Sequence, residues 1–93
     1  MALKQKPSNK VHRRYLLIVE GTKKEIEETV LDYVGILGWA KCKPVFVEDK
    51  RIKKGIVLSI ERKSLEDIRA SFELSNKNMK IVKVSGTIEG LSK

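Results

Sequence analysis

The chain has 93 residues, with 20 Lys or Arg, 12 Asp or Glu and a formal net charge of +8 at pH 7. A length of this kind gives one domain with a thin core. One cysteine, Cys42, and one histidine, His12, exclude an intramolecular disulfide and argue against a Cys/His zinc site. The longest apolar run, residues 16–19, is too short to span a membrane. No apolar segment typical of a secretory signal follows the basic N-terminus, so we expect a cytoplasmic protein.

The positive charge is concentrated in two parts of the chain. Residues 1–14 hold five Lys or Arg and no acid, and residues 41–54 hold six bases against two acids. Clustered basic charge favours a polyanionic partner such as nucleic acid. The alternative is a solvated surface on a lysine-rich protein.

The chain begins with a segment that has little to pack. Residues 1–12 are rich in Lys, Gln, Pro, Ser and Asn and predict a flexible basic tail, which leaves residues 13–93 as a single domain. From Arg14 to Glu20 the residues are apolar at both odd and even positions, which predicts a strand in the centre of a sheet.

An amphipathic helix follows the first strand. Thr22 stands three residues before Glu25, the spacing of a capping box. Gly35 weakens the last turn, and Gly38 is the predicted end of the helix. Its predicted core-facing residues are Ile26, Val30, Val34 and Leu37.

The middle of the chain predicts a hairpin. Residues 40–47 are predicted to be extended, and Pro44 inside them lacks the N–H of a sheet ladder, so this strand belongs at an edge. Residues 48–54 form a charged turn, and residues 56–60 form the next strand.

The last third predicts one more helix and one more strand. Ser64 is a predicted N-cap for a helix over residues 65–75, and residues 79–85 form the final strand. The order β-α-β-β-α-β predicts an α+β fold, ferredoxin-like and RRM-like, with a four-stranded antiparallel sheet and two helices on one face. Strands one and three are expected in the centre.

No catalytic constellation is visible, so the sequence assigns neither catalytic residues nor a metal site. The third strand begins Lys54-Gly55, as in RNA recognition motifs, but it has none of the aromatics that stack on bases. We therefore expect a sheet that does not read single-stranded bases. Its open face, bearing Val57, would then be an exposed apolar patch of the kind that contacts proteins.

The basic segments are the candidate RNA-binding residues. Long cationic side chains on an arm or a hairpin tip can contact phosphates without reading sequence. The candidates are Lys10, Arg13 and Arg14 near the N-terminus, and Lys50, Arg51, Lys53 and Lys54 on the hairpin. Trp39 has two interpretations, a ring packed over the helix end or an anchor for a protein partner.

Several short segments resemble a known family when taken in this order. They are Arg13-Arg14-Tyr15-Leu16-Leu17, Gly38-Trp39-Ala40-Lys41, Gly55-Ile56-Val57, Arg69-Ala70 and Val84-Ser85-Gly86-Thr87-Ile88. Over about residues 13–91 the chain is similar to component 2 of archaeal and eukaryotic ribonuclease P. It departs from the family pattern in a short strand-to-helix loop and an early C-terminus, where many relatives continue into further helical structure.

The resemblance implies a non-catalytic subunit of ribonuclease P. The RNA subunit of that enzyme holds the magnesium ions and removes the 5′ leader of precursor tRNA, so no cofactor is expected on this chain. The implied partners are the ribonuclease P RNA, precursor tRNA indirectly, and protein component 3 in a two-plus-two assembly. The alternatives are a protein–protein interaction module of ferredoxin-like shape and a stand-alone nuclease.

Overall fold

The computed structural model describes residues 12–92. Most of the predicted tail, including Lys10, lies outside the described residues. The elements in chain order are β1 (Arg13–Val19), α1 (Lys23–Cys42), β2 (Val45–Val47), β3 (Ile56–Glu61), α2 (Leu65–Leu74), β4 (Lys80–Ser85) and α3 (Ile88–Ser92). Among residues 12–92, no helix combines the length and the apolar character needed to cross a bilayer.

The four strands form one antiparallel sheet in the order β2-β3-β1-β4. The α+β class and the four-stranded antiparallel sheet are therefore confirmed, and β1 and β3 occupy the centre as predicted. Leu16 is the Cα partner of Leu58 on β3 and of Val84 on β4. The pairing of β1 with β4 shifts register between Leu17 and Ile18, which marks a bulge in the edge strand.

One face of the sheet forms the core with two helices. Because side chains alternate along a strand, Leu16 and Ile18 of β1 share this face with Leu58 and Ile60 of β3. They belong to one buried cluster with side chains of both longer helices, Ile26, Val30 and Cys42 of α1 and Ile68 of α2. The apolar residues at helical and strand spacing thus define the packed layer.

The first helix starts as predicted and ends later. The Thr22 hydroxyl accepts a hydrogen bond from the Glu25 N–H at 3.1 Å, and the Glu25 carboxylate accepts one from the Thr22 N–H at 3.0 Å, which confirms the capping box. The predicted end at Gly38 is wrong, because α1 continues through Cys42. Residues 40–42 are consequently helical, and the predicted strand over 40–47 shrinks to residues 45–47.

A break at Gly35 explains why the helix end was mispredicted. Gly35 has φ 78° and ψ 174°, a conformation that a residue with a side chain rarely adopts. Beyond it the faces of α1 shift, so that Trp39 and Cys42 turn toward the core. Leu37, predicted to face the core, is instead 79% exposed.

The opposite sheet face carries a helix that the sequence did not predict. Short α3 packs against β1 and β4, and the Ser85 side chain lies against Gly90 of α3. Ser85 pairs with Tyr15, whose face is turned away from α1 and α2. Leu91 of α3 is only 3% exposed, so this helix covers part of the face that was predicted to be open.

The start of α2 also differs from its prediction. Ser64 makes no side-chain cap hydrogen bond. A 3-10 turn, Arg62–Ser64, precedes α2 instead, and the carboxylate of Glu61 accepts a hydrogen bond from the Lys63 N–H at 3.4 Å. The turn directs the chain from β3 straight into α2.

Candidate nucleic-acid interface

The loop that joins β2 to β3 carries the four predicted hairpin cations, but one of them is held by an acid of the same loop. The Arg51 guanidinium donates to both carboxylate oxygens of Asp49, at 3.0 Å and 2.9 Å, and the Arg51 N–H donates to the same carboxylate at 2.8 Å. Arg51 therefore fixes the shape of the loop, and its charge is largely matched by Asp49.

The ionisation of this pair follows from its geometry. Hydrogen bonds from the Arg51 side chain, then from its backbone, lower the pKa of Asp49 from 3.8 to about 2. The same pair raises the pKa of Arg51, first through the side-chain hydrogen bond with Asp49, with a smaller contribution from the charge of Glu89 on α3.

The other hairpin cations are available for a ligand. Lys50, Lys53 and Lys54 are exposed, and none of them forms an ion pair within residues 12–92. The second acid of the loop, Glu48, pairs with Lys23 at the start of α1 at 3.3 Å. The RNA-binding assignment of the hairpin stays a prediction, with three free lysines rather than four free cations to support it.

Arg13 lies inside the fold rather than on a free arm. Its Nε donates to the Ser59 hydroxyl at 2.6 Å, and its Nη2 donates to the Ser59 carbonyl at 2.9 Å and to the Lys43 carbonyl. Its neighbour Arg14 donates to the Arg13 carbonyl at 3.1 Å. Both side chains are half-buried, so their predicted RNA contacts would have to be made from this fixed position.

The two predicted partner anchors, Val57 and Trp39, differ in how far they are buried. Val57 is only 2% exposed, so the expectation that it stands on an exposed sheet face is wrong. The reason is tertiary, since Ile52 and Gly55 of the hairpin line a cavity together with Val57, and α3 packs on the neighbouring strands β1 and β4 of the same face. Trp39 is half-buried and packs against the core, which favours the packing interpretation, while its contact with a partner stays a prediction.

Exposed apolar side chains lie on the helical layer instead. Tyr33 and Leu74 line one groove between α1 and α2, and Ile36 and Leu37 follow on the same part of α1. Sequence reasoning missed this group because it assumed an unbroken helix. Ile36 and Leu37 are neighbours in the sequence, and neighbouring residues of a helix point in different directions. Their adjacency could therefore have shown that the two side chains do not both face the core.

Further exposed cations lie at the opposite end of the sheet from the hairpin. They are Lys41, Lys43, Arg62 and Lys63. Lys41 and Lys43 were counted in the basic part of residues 41–54, but the sequence did not connect them with Arg62 and Lys63, which lie about 20 positions further on.

The titratable side chains of the described residues were compared with the requirements of a metal site. Within residues 12–92, no group of three or more His, Cys, Asp or Glu side chains could hold a metal ion. Cys42 is a free thiol buried in the core. The arrangement can therefore bind an anionic surface through its cations, and it can pack another protein against its exposed apolar residues.

Comparison with known proteins identifies a curated relative of the chain. No protein-family model matches the chain. The chain is 37% identical over 78 residues to ribonuclease P protein component 2 of Thermococcus gammatolerans, an alignment that takes in 76% of this chain. The chain spans 64% of the length of that relative.

Proposed function

Because this chain belongs to the ribonuclease P protein component 2 family, we propose that it is a non-catalytic subunit of ribonuclease P. In this role it supports the catalytic RNA in removing 5′ leaders from precursor tRNA. The observation that carries the proposal is the identity of 37% over 78 residues with a protein of that name. The net charge of +8 suits a protein whose main ligand is RNA.

The fold is consistent with this role. We assign it to the ferredoxin-like, RRM-like group on the support of its strand order and its two long helices on one sheet face. The second sheet face carries Val57 and Ser59 on β3, neither of them aromatic. Its one aromatic on β1, Tyr15, is half-buried beside Ser85, where α3 packs on β1 and β4. Contacts with RNA are therefore assigned to cations at the ends of the sheet and not to base stacking on its face.

A protein partner completes the proposed assembly. Component 3 of ribonuclease P is the proposed partner, in a two-plus-two complex, and the magnesium ions are assigned to the RNA subunit. The exposed apolar residues of the helical layer support a protein contact, since side chains of that size are seldom left together in water without a function.

Reconstitution of tRNA 5′ processing tests the subunit role. Ribonuclease P RNA, component 3 and magnesium are combined with precursor tRNA, with and without this chain. We expect cleavage at the mature 5′ end to be faster, or to require less magnesium, when the chain is present. The chain alone, freed of RNA, should not cleave. Accurate cleavage by the protein alone, or no effect of the protein on the RNA, would contradict the subunit role.

The hairpin is tested in the same system. Replacing Lys50, Lys53 and Lys54 with Gln should weaken binding to ribonuclease P RNA, and the dependence of log K on log salt should become shallower by about 2. Arg51→Gln is the matched single-charge comparison, and we expect a smaller change because Asp49 already neutralises this guanidinium. If affinity and salt slope of the triple variant match those of the wild type, the hairpin is merely a solvated loop.

A further inference from the structure

Three segments that are distant in sequence meet at the end of the sheet opposite the hairpin. They are residues 12–14 at the start of β1, residues 41–43 at the end of α1, and residues 61–63 at the end of β3. Together they carry six Lys or Arg and a single carboxylate, Glu61. This grouping has a higher net positive charge than the hairpin loop, and none of the predicted binding segments contains it as a whole.

Direct hydrogen bonds hold the three segments together. The Arg62 N–H donates to the His12 carbonyl at 2.7 Å, and Arg13 is the Cα partner of Glu61 in the sheet. The Arg13 guanidinium connects this strand pair to α1, because it donates to Ser59 of β3 and to the carbonyl of Lys43. Helix α1 also packs against the 3-10 turn that begins at Arg62. The three segments that carry the cations are therefore fixed relative to one another.

The charged groups at this end are free to meet a ligand. Lys41, Lys43, Arg62 and Lys63 are all exposed, and none of them forms an ion pair within the described chain. The only carboxylate of the three segments, on Glu61, accepts the backbone N–H of Lys63.

The hairpin makes an informative comparison. Residues 48–54 carry four cations and two acids, a net charge of +2, and one of those cations is bonded to Asp49. Residues 12–14, 41–43 and 61–63 carry six cations and one acid, a net charge of +5. Phosphate binding depends on how many phosphates are neutralised, so the end of the sheet offers the stronger site.

We propose that Lys41, Lys43, Arg62 and Lys63, held together by Arg13, form a binding surface for the phosphate backbone of a structured RNA. This surface, the sheet-end surface, deepens the proposed function, because it assigns part of the RNA contact to residues of three segments. Arg13 is its positioning residue, and the four exposed side chains contact the phosphates. The six residue-to-residue steps of β1, at about 3.3 Å each, separate this surface from the hairpin by about 20 Å, so the two sites bind different stretches of the RNA backbone.

A structural role for the two lysines of α1 is the main rival explanation. Lys41 lies in the last turn of α1 and Lys43 caps it, where positive charge interacts favourably with the helix dipole. That role predicts lower stability on neutralisation and no change in the salt dependence of RNA binding. Phosphate contact predicts unchanged stability and a shallower salt dependence of RNA binding. Melting curves and salt titrations together therefore distinguish the two explanations.

The test compares two variants of equal charge. The sheet-end variant carries Lys41→Gln, Lys43→Gln, Arg62→Gln and Lys63→Gln. The control variant removes four cations scattered over α1, α2, the following turn and β4, through Lys24→Gln, Arg69→Gln, Lys77→Gln and Lys80→Gln. Glutamine is used because Lys43 has φ 49°, where it is no more strained than lysine. Arg13 is left intact so that the fold is retained.

Binding to an in vitro transcript of ribonuclease P RNA is measured from 50 to 300 mM salt, with circular dichroism melting of each protein. The sheet-end variant should bind about a hundredfold more weakly near 0.1 M salt, and its slope of log K against log salt should be shallower by about 3. The control variant should change the slope by less than about 1. A sheet-end variant with wild-type slope, or with a slope no different from that of the control variant, would overturn the proposal.

The same preparations are added to the processing reaction. If the wild type binds the transcript through the sheet-end surface and yet leaves precursor tRNA processing unchanged, the subunit role is wrong and the phosphate-binding surface stands. If the wild type supports processing and the sheet-end variant binds like the wild type, the surface is wrong and the subunit role stands.

Discussion

Replacing Arg13 with Ala should destabilise the fold, because this side chain joins β1, β3 and the end of α1. The change removes the donors of three hydrogen bonds and leaves the Ser59 hydroxyl, in a residue that is only 2% exposed, without its partner. Hydrogen bonds to a charged group contribute about 1.5–3 kcal/mol each, and an orphaned buried hydroxyl costs about 1–3 kcal/mol. The side chain is half-buried and water replaces part of these bonds, so we expect a net loss of about 2–3 kcal/mol.

A loss of this size is readily measured in a domain of 93 residues. Each 1 kcal/mol lowers the melting temperature of such a domain by about 4–8 °C, so Arg13→Ala should melt about 10–15 °C below the wild type. Urea unfolding followed by circular dichroism gives the free energy directly. Arg62→Ala is the matched control, since its side chain is exposed and should change stability by less than about 0.5 kcal/mol.

A double-mutant cycle assigns the loss to the contact itself. The double variant Arg13→Ala/Ser59→Ala should lose about 1 kcal/mol less free energy of unfolding than the sum of the two single variants. The reason is that Ser59→Ala removes the hydroxyl that Arg13→Ala leaves without a partner. The structural role would be refuted if Arg13→Ala kept wild-type stability while the salt slope of its RNA binding became shallower by about 1. Arg13 would then be a phosphate contact.

Three further predictions concern the helix start, the hairpin and the helical layer. Thr22→Ala removes the capping hydroxyl and should lower the free energy of unfolding by about 1 kcal/mol in urea titrations; no change would mean that water caps the helix equally well. The carboxyl of Asp49 should titrate near pH 2 by NMR and return toward 3.8 in Arg51→Gln. Because the pKa of Asp49 is depressed in the folded state, the stabilisation by the ion pair is fully present above about pH 4 and is lost as the pH falls toward 2. A wild-type titration of Asp49 at 3.8 would mean that the pair does not form. Leu37→Ser should leave the melting temperature of the isolated chain within a few degrees of wild type, whereas Leu58→Ala should cost about 2–5 kcal/mol, and equal losses would place Leu37 in the core.

Local patterns in the sequence were sufficient for the start of α1 and for part of the core. The capping box needs only Thr22 and Glu25, three residues apart, and Leu58 and Ile60 share the core-facing side of β3 by alternation along that strand. Pro44 pointed correctly to an edge strand, since β2 lies at the edge of the sheet and begins just after it. Such features depend on residues within a few positions of one another, so the sequence alone determines them.

The features that tertiary structure decided depend on residues far apart. Gly35 could have continued the helix or broken it, and packing of Trp39 and Cys42 on the core selected the break that leaves Leu37 in water. Val57 is buried although it lies on the side of β3 opposite the core, and α3, which covers part of that face, begins about 30 residues later in the chain, so no pattern around Val57 could reveal its burial.

The candidate RNA-binding residues, too, were predicted only in part from the sequence. The clustered charge of the hairpin was visible as a run of neighbouring residues, although the pairing of Arg51 with Asp49 needed the folded loop. The sheet-end surface as a whole was not visible in the sequence, because its cations come from three segments that are far apart along the chain. Antiparallel pairing of β1 with β3, and the hydrogen bonds of Arg13, bring them together. Charge density in space is set by strand register and helix length, which is why only the folded chain reveals where its positive charge is greatest.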